Sequence, residues 1–98
     1  MNERIIIFGC GRLGHEAVIA FGNENIECFC DNNPSLVGKE KYDKIIISFD
    51  ELKEKYTDAV VLICADIKKR NAYAIARQCE ENGISCVGLS DDGRDALR

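Results

Sequence analysis

Gly9-Cys10-Gly11-Arg12-Leu13-Gly14, a G-x-G-x-x-G run set between a β-branched stretch and an amphipathic one, constrains this chain more than any other feature. Upstream, Arg4 to Phe8 reads as a strand, its continuous apolar run Ile5-Ile6-Ile7-Phe8 being the signal of burial on both faces, as parallel sheets require. Downstream, Leu13, Ala17, Val18, Ala20 and Phe21 recur at helical spacing from Arg12 to about Phe21, and Gly22-Asn23 is a suitable stop. Strand, tight turn and helix follow in that order. Each glycine then has its own physical reason: Gly9 lets the chain turn sharply, Gly11 carries no Cβ to hold a diphosphate off the backbone, and Gly14 lets the helix pack close to the strand. The helix start offers unpaired N–H groups and the positive end of a dipole to an anion.

The rest of the chain repeats the alternation. Ile26 to Cys30 is expected as a second strand, closed by the turn formers Asp31-Asn32-Asn33-Pro34, with Pro34 holding Asn33 out of the helical region. Ile45 to Ile47 is a short third strand. Ser48 and Glu51 have capping-box spacing ahead of Leu52 and Tyr56, which predicts a short helix from Ser48 that stops at Thr57-Asp58. Ala59 to Ala65 is the most hydrophobic strand. A helix from about Lys68 to Asn82 carries Ala72, Ile75, Ala76 and Cys79 on one face and ends at Gly83, and Ile84 to Leu89 is the last strand. Ser90 to Arg98 reads as a short helix or a frayed tail. These elements predict one α/β domain over residues 1–98, Rossmann-like, a five-stranded parallel sheet of order 3-2-1-4-5 with helices on both faces. It is either a small protein in itself or one domain of a larger one.

Asp31 lies about 17 residues beyond Gly14 at the end of the second strand, where a carboxylate accepts hydrogen bonds from ribose hydroxyls. It would repel a 2′-phosphate, which favours NAD, or another nucleotide with a free ribose, over NADP. Its plainer role is a turn residue beside Asn32 and Asn33. The candidate ligand-binding set is therefore Gly9, Cys10, Gly11, Arg12, Leu13, Gly14, Asp31 and Asn32, with Cys64 and Ala65 as a pocket floor beside the first strand at the point where the strand order reverses. Arg12 either flanks a phosphate or is solvated, and Cys64 and Ala65 equally suit core packing. His15 is able to donate to a phosphate or exchange protons near neutral pH, or simply to sit on the helix surface. It is the only histidine, and no catalytic triad can be assembled around it.

Thirteen basic against 17 acidic residues give a net charge of −4, with no basic cluster beyond Lys68-Lys69-Arg70. That balance predicts a small-molecule nucleotide as partner, with no nucleic acid and no membrane surface. The longest apolar runs fall far short of a membrane span and Met1-Asn2-Glu3-Arg4 lacks a signal-peptide pattern, so a cytoplasmic protein is expected. Six cysteines at 10, 28, 30, 64, 79 and 86 form no C-x-x-C pair, and Cys28, Cys30, Cys64 and Cys86 fall in apolar strand-like runs. They read as reduced core residues rather than disulfides or metal ligands.

Taken together, the run Ile5 to Gly14, the segment Phe29-Cys30-Asp31-Asn32-Asn33-Pro34, Gly38-Lys39 and Ile46 to Leu52 resemble the small Rossmann-like domains attached to bacterial sugar-modifying enzymes. These are the N-terminal domains of nucleotide-sugar acyltransferases and the accessory domains of glycosyltransferases and sugar methyltransferases. In strand count and in the strand plus helix at Lys44 to Lys55 the chain is also similar to the CoA-binding domain of succinyl-CoA-synthetase type. The resemblance implies that Gly9, Gly11 and Gly14 cradle phosphate and that Asp31 with Asn32 meets ribose or base. NAD, a UDP-sugar and CoA all stay open as ligands. The acyltransferases place catalysis in a following β-helix whose hexapeptide repeats are not in this sequence. Three roles follow: a nucleotide-binding module in surface-polysaccharide metabolism, working with a catalytic partner domain or as a homo-oligomer; the cofactor domain of a larger oxidoreductase or sugar transferase; or an interaction domain whose glycines only make the turn.

Overall fold

A computed structural model describes residues 4–9, 11–64 and 71–88. Their strands are β1 (Ile5–Phe8), β2 (Ile26–Cys30), β3 (Glu40–Lys41), β4 (Lys44–Ile47), β5 (Val60–Ile63) and β6 (Ser85–Gly88), and their helices are α1 (Arg12–Phe21), α2 (Phe49–Lys55) and α3 (Asn71–Glu81). The strands form one sheet in the order β3-β4-β2-β1-β5-β6. Five of them are parallel, and the connection from β4 back across the sheet to β5 reverses the direction of winding. With right-handed crossovers throughout, that reversal moves the helices to the opposite face. Accordingly Ala17 and Val18 of α1 pack on one face with Ile7, Phe29, Ile46 and Leu62, while Phe49 and Leu52 of α2 and Ala72 and Cys79 of α3 pack on the other with Ile6, Phe8, Ile47 and Ile63.

The five-strand, all-parallel expectation is corrected by β3, which pairs antiparallel with β4 at the edge of the sheet. The joining turn is Tyr42-Asp43, with φ of 52° and 65° at the two central residues. Positive φ at both is what a tight two-residue hairpin requires, and it is usually supplied by Asn-Gly or Asp-Gly. A tyrosine in that conformation is a costly choice. Its ring is held by tilted contact with Phe29 (5.9 Å between centroids) and by stacking on His15 (4.9 Å, 23° between planes). The tail from Ser90 onward and the predicted start of the third helix at Lys68 lie outside the described residues.

One irregularity lets β2 serve both faces. Ile5 pairs with Ile26 and Ile6 with Cys28, so Glu27 is an extra residue opposite β1. Such a bulge breaks the two-residue alternation locally. Ile26 therefore packs on the α1 face while Cys28 packs on the α2/α3 face, and Glu27 stays exposed between them. At the opposite end of the strands from the glycine turn, Arg4 pairs with Asp58 and lies over the Tyr56 ring, tying the start of β1 to the α2–β5 connection.

Cys28, Cys30, Cys64 and Cys79 are buried free thiols and Cys86 is partly buried. Desolvation pushes the Cys28, Cys64 and Cys79 thiols up from 9.0 to about 12 and raises Cys30 as well. A group whose pKa is raised on folding stabilises below its unfolded value and loses that contribution as pH climbs toward the folded one. Stability should hold up to about pH 9 and fall between there and pH 12, which a series of urea melts across that range would measure. Over the same range up to pH 9 these four thiols should resist a thiol reagent in the native state and react at once in 8 M urea, since a buried thiol is a poor nucleophile.

Candidate functional site

Three backbone hydrogen bonds draw the ends of four strands into one edge. The Gly9 N–H donates to the Cys30 carbonyl (3.0 Å), the Asp31 N–H to the Ile47 carbonyl (3.1 Å) and the Cys64 N–H to the Phe8 carbonyl (2.9 Å). The glycine turn, Asp31 and Cys64 thus meet at the C-terminal edge of the sheet, where the neighbours of β1 lead off in opposite directions. Cys10 and Ala65, also in the candidate set, lie outside the described residues.

Gly9 has φ of 103°, a conformation that glycine adopts without strain and other residues avoid. The chain turns there directly into α1, whose N-cap is Gly11 and whose first residues are Arg12 and Leu13. Gly14 sits against the turn so closely that a Cβ on it would lie 2.5 Å from the Gly9 carbonyl oxygen. Gly11 is the opposite case: a Cβ there would meet nothing within 4 Å, because it faces open space. Among the described residues no side chain caps the helix start, and no acidic residue lies in its first turn. The arrangement is a cradle of backbone N–H groups at a positive helix end, open on the side where Gly11 lacks a side chain, and it fits an anionic phosphate.

Asp31 is half-buried at the end of β2, and its Oδ1 accepts from the Asn33 N–H (2.9 Å), which closes a local turn and orients the carboxylate. The next turn is built the same way, with Asn33 Oδ1 accepting from the Ser35 N–H and hydroxyl (3.0 and 2.8 Å). Asn32 has a different partner. Its amide nitrogen donates to Gln78 Oε1 (3.0 Å) and its amide oxygen accepts from Gln78 Nε2 (3.2 Å), so the β2 loop is clasped to α3. Cys64 is buried against the α1 face, its thiol pushed up to about 12 by desolvation alone, so it contributes an uncharged surface below the turn.

Two parts of this neighbourhood are not visible in the sequence pattern. Gln78 stands 46 residues from Asn32 and carries no motif. Tyr42 comes from the unforeseen hairpin, and its stack fixes the ring of His15, one residue after Gly14. Among the described residues no group of three or more His, Cys, Asp or Glu is placed to hold a metal ion. None of the described helices is long and apolar enough to cross a membrane.

The two helix-start glycines should separate experimentally. Gly14→Ala forces α1 away from the Gly9 carbonyl and should cost about 1 to 3 kcal/mol, the range for overpacking a close contact. Gly11→Ala should stay within about 1 kcal/mol of wild type, since only a preference at the N-cap is lost. Urea denaturation of both variants measures the difference.

Comparison with solved structures finds the same Rossmann-like fold in proteins of low sequence identity. A Rex-family repressor, RSP, superposes with a TM-score of 0.70 at 21% identity over 95% of this chain and 51% of its own. Its complex with beta-NADH gives 0.69 at 21% identity, covering 92% of this chain and 47% of that one. UDP-D-quinovosamine 4-dehydrogenase from Vibrio fischeri gives 0.72 at 13% identity, covering 92% of this chain and 80% of that one. The chain spans about half the length of the repressor it matches. At these identities the likeness shows the fold, and no attachment to an acyltransferase emerges from it. No curated protein is significantly similar in sequence. The expectation of no nucleic acid is corrected here, because the repressor is also solved in complex with beta-NAD+ and operator DNA. A net charge of −4 describes 98 residues only, and leaves open what a protein built around such a domain contacts. Residues 1–86 match the family model described as C2185-like, N-terminal, and the chain belongs to that family.

Proposed function

We propose that this chain is an NAD(H)-binding module in which the diphosphate lies on the Gly9–Gly14 turn and Asp31 accepts a hydrogen bond from a ribose hydroxyl. The observation that carries the reading is Gly11: it caps an otherwise uncapped helix start, and the space its missing side chain leaves is open. A turn that served packing alone would need Gly9 and Gly14 but would gain nothing from that gap. Arg12 and Leu13 complete the phosphate side through their backbone, Asn32 borders the ribose and Cys64 floors the crevice, while Cys10 and Ala65 of the same candidate set lie outside the described residues. The structural neighbours solved with beta-NADH and with beta-NAD+ support the cofactor class.

The module supplies or senses the nucleotide for a larger assembly, and its catalytic or regulatory partner lies beyond these residues. A UDP-sugar is the second ligand, supported by the sugar-nucleotide dehydrogenase whose length this chain mostly spans. That reading would place the module in sugar or surface-polysaccharide metabolism.

A ligand selective for the folded state stabilises it by mass action, so NADH should raise the melting temperature in a dose-dependent way, in a panel with UDP-sugars and CoA. Gly11→Val should abolish that response while the chain still folds without ligand, because a Cβ at that position meets nothing within 4 Å. Asp31→Asn should bind more weakly by about 1 to 3 kcal/mol, the cost of losing a hydrogen bond to a charged partner. Undiminished NADH binding by Gly11→Val would remove the glycine turn as the site.

A further inference from the structure

We propose that Gln78 of α3 is a positioning residue for the ribose end of the nucleotide, acting through Asn32 on Asp31; the inference rests on the reading of Asp31 as the ribose acceptor. Asp31 is tied to β4 by its N–H, which donates to Ile47, and to its own turn by the Asn33 N–H on its carboxylate. Those contacts set the residue within its loop. The position of the loop against the body of the domain on the α3 side is set by the next residue, through the reciprocal amide pair between Asn32 and Gln78 at 3.0 and 3.2 Å.

The pair is poorly explained as a source of stability. Asn32 is exposed and Gln78 half-buried, and hydrogen bonds in contact with water contribute little net free energy to folding. It is well explained as geometry. Both amides are used on one another in a two-bond contact that admits a narrow range of separations, and it joins the loop after β2 to α3 across 46 residues of sequence. A hydrogen bond from a ribose hydroxyl to Asp31 depends on placement to a fraction of an ångström, and such placement comes from supporting contacts of this kind.

The test is titration of the 98-residue chain with ADP and 2′-deoxy-ADP, which differ only in the 2′-hydroxyl, the group that would donate a hydrogen bond to Asp31. Wild type should bind ADP more tightly. Gln78→Ala should weaken ADP roughly three- to tenfold, the equivalent of one misplaced hydrogen bond, and leave 2′-deoxy-ADP unchanged. Gln78→Glu keeps an acceptor for the Asn32 amide and should fall between the two. In an Asp31→Asn background Gln78→Ala should have no further effect, and melting temperatures should barely move across the set. Equal losses for both nucleotides, no loss in Gln78→Ala, or a lowered melting temperature with unchanged affinity would each overturn the positioning role and leave the nucleotide site standing. Failure of wild type to bind ADP, 2′-deoxy-ADP and NADH would instead overturn the nucleotide-binding reading, and the role of Gln78 with it.

Discussion

The approach of α1 to the end of β1 is the contact on which the rest of the site depends. Because Gly14 has no side chain, the first turn of the helix rests on the Gly9 carbonyl instead of standing a side chain's width away. Two consequences follow from that one distance. Gly9 is left at the sheet edge with its N–H bonded to the end of β2, which brings Asp31 beside the turn. The helix start is also held against the end of β1, next to the open space at Gly11. A methyl group at position 14 would disturb both, whereas the same group at position 11 would disturb neither and would instead fill the cradle.

Much of this was legible from residue types and spacing, because the features concerned are local. A continuous β-branched run, glycines at 9, 11 and 14 and a helical repeat from Arg12 to Phe21 are read within about 18 residues, and the structure has β1 and α1 where they are expected. The Ser48 cap is equally local: its side chain accepts from the Glu51 N–H at 3.1 Å, as the spacing predicts. The parallel core order followed because alternating strands and helices with right-handed crossovers leave few arrangements.

What escaped depends on contacts between distant residues or on conformations that the residue types disfavour. Lys39 to Lys44 holds no Asn-Gly or Asp-Gly to announce a hairpin, and Tyr42-Asp43 adopts positive φ because ring contacts with Phe29 and His15 hold it there. The bulge at Glu27 has no local marker either. Its cause is collective, since Ile26 and Cys28 are both apolar, lie two apart, and are required on opposite faces of the sheet. At the site, the turn chemistry of Asp31-Asn32-Asn33 was readable, yet nothing in it distinguishes Asn32, bonded to a helix 46 residues on, from Asn33, bonded within its own loop.

The corrected view of nucleic acid follows the same division between local and collective information. Charge is additive over whatever is counted, and counting one domain gives the field of that domain alone. The Rossmann edge described here has its own charge logic, which is independent of the net value. In the proposed site a positive helix end would face an anion, and one carboxylate at the end of β2 would select what lies beyond it. At about 4 Å two like charges repel by roughly 1 kcal/mol in water and by several times that at a partly desolvated surface. In the proposed nucleotide site Asp31, half-buried and oriented by its own turn, would therefore disfavour a phosphate on the ribose far more strongly than the other 16 acidic residues disfavour any distant polyanion. Selectivity at the site and the partners of the whole protein are set by different charges at different ranges.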